Sequence, residues 1–207
     1  AGIPVVELDR SRLDALTAGA RHQGVAASIL PRGYVEVEEL LELARRRGEP
    51  PWLVALDGLE DPQNLGGILR SVEAVGAHGV IITRRRSAQV TESAARAAAG
   101  AAALVAVARV GNLVQTLERL KSQGCWVVGL TPAGTRRYHQ ADLTGGLVLV
   151  IGGEGKGLSR LTMETCDELV AIPMRGQIES LNASVAAGIV LYEALRQREG
   201  KSGREAT

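Results

Sequence analysis

Residues 147–159 read LVLVIGGEGKGLS, and this stretch decides the fold of the chain. Its first part, Leu147–Ile151, is continuously apolar, as are strands that helices cover on both faces of a parallel sheet. A glycine-rich loop follows, and then the helical pattern Leu158–Cys166. Ligands of open α/β sheets bind where a strand runs into such a loop. The stretch therefore predicts both a fold class and the position of a site.

Strand-like and helical patterns alternate on both sides of this stretch. The predicted strands are Trp52–Leu56, Gly79–Thr83, Leu104–Val107, Trp126–Leu130, Leu147–Ile151 and Leu169–Ile172. The predicted helices are Leu65–Val75, Glu92–Ala99, Leu113–Lys121, Leu158–Cys166 and Ser180–Arg198. This alternation predicts an α/β domain over residues 51–199, with a mostly parallel sheet and helices on both faces.

The remaining residues differ from this domain. Residues 32–50 are predicted to be a linker with one amphipathic helix, Glu36–Arg47, ahead of the break at Pro50 and Pro51. Residues 1–31 hold one β-like run, Ile3–Leu8, and are too few to bury a core of their own. We expect them to be the last part of another domain. Residues 200–207 are expected to be a flexible polar tail.

The composition narrows the classes of function. Hydrophobic residues make up 45% of the 207 residues, so a buried core is expected. Aromatic residues make up only 2%, which argues against an RNA surface of stacked aromatic rings. Neither a signal peptide nor a membrane-spanning run is visible, so a cytoplasmic protein without membrane contact is the expectation. No metal is expected, because neither the histidines nor the cysteines have ligand spacing: His22, His78, His139, Cys125 and Cys166.

Positive charge is clustered, although the net charge is only +1. The clusters are Arg45–Arg47, Arg84–Arg86 and Arg136–Arg137. Each is compatible with a solvated face or with cations at a helix C-terminus. Together they are also compatible with a basic groove that binds RNA.

The glycine-rich loop does not match the common phosphate-binding loops. A P-loop needs Gly-Lys-Ser/Thr, whereas residues 155–157 read Gly-Lys-Gly. The GxGxxG spacing fails because Leu158 stands where the third glycine belongs. Glu154 would repel a phosphate, so a cationic ligand, or one recognised through ribose and adenine, fits better. The alternative is a tight turn between a strand and a helix, without a ligand.

A second segment, residues 56–70, reads LDGLEDPQNLGGILR. We predict that Asn64 is the N-cap of the helix Leu65–Val75. Gly66 and Gly67 would each weaken the first helical turn by roughly 1 kcal/mol, so a backbone or a ligand is expected to approach closely there. The alternative is an ordinary capped turn.

A third segment, residues 172–182, reads IPMRGQIESLN and precedes a helix rich in Ala and Gly. Ser180, with Asn182 just behind it, can start this helix. The small residues suit close packing against another helix, including that of a second copy of the chain.

Taken together, the three segments resemble the SpoU (TrmH-like) branch of the SPOUT RNA methyltransferases. The matching motifs are NLGGILR at 64–70, IGGEGKG at 151–157 and IPM with SLNASVAAGI within 172–189. The resemblance implies transfer of a methyl group from S-adenosyl-L-methionine to a ribose 2′-hydroxyl of RNA. It also implies a C-terminal trefoil knot, a rarity among folds, and a homodimer in which catalytic groups converge from both subunits.

The resemblance further implies a set of site residues. The cofactor would contact Thr131, Gly152, Gly153, Glu154, Gly157, Ile172, Met174, Ser180 and Leu181. The catalytic candidates are Asn64, Arg70, Glu154, Ser180 and Asn182. Because an arginine stays protonated in proteins, we expect Arg70 to clamp a phosphate and stabilise the developing alkoxide, while that phosphate or a water takes the proton. Glu154 is expected to orient Arg70 or Asn64, and Ser180 and Asn182 to hold the nucleoside and the loop.

The run HQGVAA at 22–27 resembles members of this family that methylate a guanosine of bacterial 23S rRNA. In those enzymes it closes an L30e/L7Ae-like RNA-binding domain, of which residues 1–31 would be the C-terminal part. Other targets stay open: a different rRNA nucleotide, as in antibiotic-resistance methyltransferases, or a tRNA. A non-catalytic RNA-binding or nucleotide-binding module is a further alternative. A Rossmann oxidoreductase is disfavoured, since no dinucleotide fingerprint is present.

Overall fold

The computed structural model describes residues 5–17, 19, 22–26 and 33–205, with side chains described as far as Gly200. The chain divides into two compact units, Ala1–Pro31 and Arg32–Thr207. In the first unit, helix α1 (Arg10–Leu16) begins at Asp9, whose carboxylate accepts a hydrogen bond from the backbone N–H of Arg12 at 2.9 Å. Residues 5–8 are not in a strand, so the predicted run Ile3–Leu8 is wrong there; residues 3 and 4 lie outside the described part.

The second unit is built on a seven-stranded sheet in which every pair of neighbouring strands is parallel. The strands are β1 (Trp52–Asp57), β2 (Gly79–Thr83), β3 (Val107–Val110), β4 (Trp126–Leu130), β5 (Arg136–Arg137), β6 (Leu147–Gly152) and β7 (Glu168–Ala171). Their order across the sheet is β3-β2-β1-β6-β4-β7-β5. The carboxyl ends of all strands therefore lie along one edge, as the continuous apolar runs predict.

Helices pack on both faces of this sheet. They are α2 (Val37–Arg47), α3 (Pro62–Ala74), α4 (Glu92–Ala97), α5 (Ala101–Leu104), α6 (Leu113–Ser122), α7 (Arg160–Thr165) and α8 (Ala183–Glu205), with a 3₁₀ turn at Tyr138–Gln140. Alternate residues of β1 enter different cores: Val54 and Leu56 pack with α3 and α8, whereas Leu53 and Ala55 pack with α2 and α6. The predicted α/β architecture is confirmed.

Several predicted boundaries are wrong. The strand predicted at Leu104–Val107 begins only at Val107, and the alanine-rich residues before it form the short helix α5 after Gly100, whose φ is +94°. The sequence also gave no indication of β5. At the C-terminus, α8 continues to Glu205, so the predicted flexible tail is helical as far as the structure describes it.

Strand β7 lies between β4 and β5, although it follows both in the chain. The connection from β4 to β5 passes the carboxyl end of β7: the Thr131 N–H donates to the Val170 carbonyl at 3.0 Å. A Cβ on Gly134 would lie 2.3 Å from the carbonyl carbon of Val170, so only glycine fits this crossing. The crossing lies where the trefoil knot is expected, and the knot itself stays a prediction.

Candidate functional site

A cavity of about 710 Å³ opens at the carboxyl edge of the sheet. Three chain segments line it, together with Met163 of α7: residues 130–133 at the end of β4, residues 151–158 at the end of β6, and residues within 172–186 after β7. All the residues expected to contact a cofactor lie in this lining, namely Thr131, Gly152, Gly153, Glu154, Gly157, Ile172, Met174, Ser180 and Leu181. The cavity thus lies at the strand ends, where the sequence predicts a ligand-binding site.

Two of these glycines are required by the packing of the backbone. A Cβ on Gly152 would lie 2.2 Å from the carbonyl carbon of Gly157, and one on Gly153 would lie 2.0 Å from the carbonyl oxygen of Gly58. The Gly157 N–H closes the loop by donating to the Gly153 carbonyl at 3.0 Å. The tight-turn interpretation is therefore correct for the shape of the loop, and the contact of these glycines with a ligand stays a prediction.

A chain of side-chain hydrogen bonds joins α3, the glycine-rich loop and the start of α8. The Asn182 amide donates to Asn64 Oδ1 at 2.8 Å, and the Asn64 amide donates to Glu154 Oε1. Asn182 Oδ1 in turn accepts from the Ser184 hydroxyl at 2.7 Å. Asn64 is only 4% exposed, so both ends of its amide are oriented in a site that excludes most solvent.

The residues that start the two helices differ from the prediction. Asn64 is not the N-cap of α3, because the Asp61 carboxylate accepts from the Gln63 N–H at 2.9 Å and Pro62 occupies the first turn. An aspartate followed by proline is a strong helix start, which frees Asn64 for the interior. Helix α8 starts after Asn182, which accepts from the Ser184 N–H at 2.9 Å, and not at Ser180.

Gly66 and Gly67 lie where other helices approach α3. A Cβ on Gly66 would lie 2.4 Å from the Cβ of Ala97 in α4, and one on Gly67 would lie 2.9 Å from the Cβ of Ser184 in α8. The predicted close approach is confirmed, and protein atoms account for it. Sequence reasoning missed Ser184, which bonds to Asn182, and Glu179, which lines the cavity. The signal for Ser184 is its place two residues after Asn182, within reach of the capping oxygen.

Arg70 lies apart from the other catalytic candidates of the same chain. Its side chain is exposed on α3 and is not part of the cavity lining. Within the described ranges, no hydrogen bond or ion pair engages its guanidinium. Of the two expected partners of Glu154, Asn64 is therefore the one observed, and the pair with Arg70 does not form.

Cys166 follows α7 and packs against the hydrophobic core, and its Sγ is 3.1 Å from the Thr162 carbonyl oxygen. Burial raises the pKa of this thiol to about 12, and the neighbouring Asp167 carboxylate acts in the same direction. A thiol with so high a pKa is a poor nucleophile at neutral pH. No group of three His, Cys, Asp or Glu side chains suited to a metal ion occurs in the part of the chain that the structure describes.

The family model of the SpoU rRNA methylases matches residues 51–192, which include the whole sheet and every residue of the cavity lining. The chain belongs to the SpoU rRNA methylase family. A second model, for the substrate-binding domain of RNA 2′-O-ribose methyltransferases, matches residues 1–35. Among the described residues, none of the helices has the length and hydrophobicity that a membrane crossing needs.

Relatives within the SpoU family agree with this assignment. A protein from Mycobacterium tuberculosis (strain ATCC 25177 / H37Ra), named as an uncharacterized tRNA/rRNA methyltransferase, is 53% identical over 197 residues, which cover 95% of this chain and 61% of that protein. The curated relatives are longer throughout, and the chain spans between 61% and 64% of their length.

Solved structures of the family share the fold. The SpoU methyltransferase AviRb from Streptomyces viridochromogenes, in complex with AdoMet, is 34% identical with a TM-score of 0.69, over 73% of this chain and 62% of that one. The A. aeolicus TrmH/SpoU tRNA modifying enzyme is 32% identical with a TM-score of 0.66, over 80% of this chain and 85% of that one.

Proposed function

We propose that residues 51–199 catalyse methyl transfer from S-adenosyl-L-methionine to a ribose 2′-hydroxyl of RNA. The observation that carries this proposal is a cavity lined by two of the three SpoU segments, to which the Asn182–Asn64–Glu154 chain of hydrogen bonds joins the remaining segment, residues 64–70. The AdoMet complex of AviRb, a family member of the same fold, supports the choice of cofactor.

The lining of the cavity fits this cofactor chemically. Apolar side chains of Leu130, Ile151 and Leu181 suit the adenine ring, and the carboxylates of Glu154 and Glu179 suit a cationic donor. The tight backbone at Gly152 leaves the strand end free of side-chain bulk. When bound, S-adenosyl-L-methionine supplies a methyl group that its sulfonium has already activated.

The chain then has to position the 2′-hydroxyl and control its proton. The Asn64 amide, held by Asn182 and Glu154, joins α3 to the glycine-rich loop and to the start of α8, which both line the cavity. Ser180 and Asn182 are proposed to hold the nucleoside. Arg70 is proposed to clamp the adjacent phosphate and stabilise the developing alkoxide through its guanidinium fork, while that phosphate or a water takes the proton.

A homodimer accounts for the position of Arg70. Its guanidinium lies outside the cavity of its own chain, so we propose that it serves the cavity of a partner subunit. Helix α8 offers a surface for such pairing, because Val185 is 51% exposed and Tyr192 is 55% exposed although both are apolar.

The proposed target is a guanosine of 23S rRNA. The run at residues 22–27 and the substrate-binding model over residues 1–35 support an RNA-binding domain that precedes the catalytic one. A tRNA or a different rRNA nucleotide is the second candidate, favoured by the A. aeolicus relative, which is named as a tRNA modifying enzyme.

The test is transfer of a tritiated methyl group from labelled S-adenosyl-L-methionine to unmethylated 23S rRNA and, separately, to unmodified tRNA, with mapping of the labelled nucleotide. We expect label on a ribose 2′-oxygen of 23S rRNA. Arg70→Ala should abolish transfer and leave cofactor binding, measured by calorimetry, unchanged. Label on tRNA alone would move the target to the second candidate. Absence of both cofactor binding and transfer would refute the enzymatic proposal in favour of a binding module.

A further inference from the structure

The three arginine clusters of the sequence have different surroundings in the structure. Arg45 and Arg46 pair with Glu42 at 2.8 and 3.4 Å, and Arg136 pairs with Glu168 at 2.6 Å. By contrast, Arg84–Arg86 are fully on the surface, and no described residue forms an ion pair with any of the three. Their charges are therefore available to a polyanion.

The turn that carries these arginines follows the carboxyl end of β2. Because all strands are parallel, this end lies along the same edge of the sheet as the cavity. Strand β2 is two positions from β6, whose loop lines the cavity, which corresponds to roughly 10 Å across the sheet. An extended polyanion can thus contact the arginine turn and reach the cavity mouth at the same time.

Hydrogen bonds hold the turn in one conformation. The Arg84 N–H donates to the Val110 carbonyl at 2.8 Å, and the Thr83 hydroxyl donates to the Arg85 carbonyl at 2.7 Å. The Ala88 N–H donates to the Leu59 carbonyl at 2.6 Å, which ties the turn to the loop that precedes α3. These contacts order the backbone while the guanidinium groups stay free, so on binding only the side chains have to be ordered.

A fourth arginine extends the positive surface toward the start of the unit. Arg109 of β3 lies 4.5 Å from the ring centroid of Tyr34, and the Tyr34 hydroxyl accepts from the Val90 N–H at 3.0 Å. The Val35 N–H donates to the Val107 carbonyl at 2.9 Å, so the chain that follows the first unit is fixed beside β3. The arginine turn lies between this entry point and the cavity, in the order β3, β2, β1, β6.

We propose that Arg84, Arg85 and Arg86 bind the phosphate backbone of the substrate RNA on its way to the cavity. This inference rests on the proposed function, since it assigns a surface to the same substrate. Arginine side chains with unsatisfied forks suit phosphate oxygens, and such contacts position an RNA without reading its sequence. The surface sets affinity and register, whereas the cavity carries out the reaction.

The test measures binding of in vitro transcribed, unmodified 23S rRNA to the full 207-residue chain as a function of salt, without any methyl donor. The variant is Arg84→Gln/Arg85→Gln, which leaves Arg86 in place because its φ is +54°. The matched control is Arg45→Gln/Arg46→Gln, which removes the same charge at the end of α2, ahead of β1 and therefore toward the opposite edge of the sheet.

The Arg84→Gln/Arg85→Gln variant should bind this RNA about tenfold more weakly near 0.1 M salt, and the slope of log affinity against log salt should fall by about 1.5 to 2. In the control, neither the affinity for RNA nor the slope should change by a comparable amount. Cofactor binding should be equal in the wild type, the variant and the control.

An equal loss in the control, an unchanged slope in the variant, or no RNA binding by the wild-type chain would each overturn the proposal. Binding is measured separately from turnover. A wild-type chain that binds the RNA without methylating it would refute the proposed reaction, and the comparison of variants would still decide the role of the arginines.

Discussion

His78 is a buried titratable residue at the edge of the sheet opposite the cavity. Its Nδ1 accepts a hydrogen bond from the Trp52 N–H at 3.0 Å, so the ring carries its proton on Nε2, 3.1 Å from Glu49 Oε2. Burial lowers the pKa of His78 below its usual value of 6.5, with Arg47 and Arg198 acting in the same direction and Glu49 opposing them. Protonation would also remove the acceptor for the Trp52 N–H.

Stability is therefore expected to fall in mild acid. Because the pKa of His78 is lower in the folded chain than in the unfolded one, its contribution is complete above about pH 6.5 and is lost as the pH falls. The slope can reach about 1.4 kcal/mol per pH unit. His78→Asn, which keeps an acceptor for the Trp52 N–H and does not titrate, should flatten the dependence between pH 7 and pH 5 in urea unfolding. Equal slopes in both proteins would contradict this role.

Single residues also show what the sequence could and could not predict about the site. Every predicted cofactor contact lies in the cavity, because each belongs to a motif that follows a strand. The hydrogen bonds of Asn64 to Glu154 and Asn182 join residues that are 90 and 118 positions apart, and nothing in their local sequence pairs them. The sequence left open whether Glu154 contacts Arg70 or Asn64, and the structure shows the contact with Asn64. Spacing could not decide between them, because the direction of each side chain on the helix determines which side chains meet.

At the level of elements, the position of α3 depends on its close packing against α4 and α8. Gly66→Ala would put a Cβ 2.4 Å from the Cβ of Ala97 and 2.6 Å from the Ala94 carbonyl oxygen. We expect a destabilisation on the order of 2 kcal/mol, even after the gain of up to about 1 kcal/mol that alanine brings to a helix. Thermal or urea unfolding measures it.

Gly188→Ala in α8 is the matched control. Its nearest neighbour would be the Ser71 hydroxyl oxygen at 3.6 Å, which is an ordinary contact. This variant should be neutral or more stable by up to about 1 kcal/mol. If both variants behaved alike, the packing explanation of Gly66 would be incorrect.

The elements also differ in how far the sequence predicts them. Central strands such as β1 and β6 were predicted to within one residue, because both faces are buried and the sequence is apolar throughout. The edge strands β3 and β5 carry arginines, so their patterns do not resemble buried strands. The alanine-rich run before β3 is as apolar as a buried strand, so its hydrophobicity does not distinguish a strand from a helix. It forms a helix because alanine has the highest helix propensity.

At the level of the whole molecule, the proposed dimer would use two exposed apolar side chains of α8. Val185 and Tyr192 are seven residues apart and therefore share one face of the helix. We expect the wild-type chain to be a dimer and Val185→Asp/Tyr192→Asp to be a monomer by light scattering after size-exclusion chromatography. Methyl transfer should fall with dimer content if Arg70 serves the partner's cavity.

Leu161→Asp is the control for this change. Leu161 is 55% exposed on α7, which packs with α6 on the other face of the sheet. The Leu161→Asp substitution should leave the dimer intact. A wild-type chain that is monomeric at micromolar concentration would contradict the dimer, as would a dimer that survives both substitutions in α8.

The place of β7 between β4 and β5 has a consequence for synthesis on the ribosome. Chains emerge from their N-terminus and fold as units during translation. Here β5 pairs only with β7 among the described strands, and the lining after residue 171 follows later still. A nascent chain that has already exposed β1 to β6 therefore still lacks one interior strand and one wall of its cavity. The cavity is complete only after residue 186 has left the ribosome, and until β7 has emerged the open edge of β4 is exposed to chaperones and to other nascent chains.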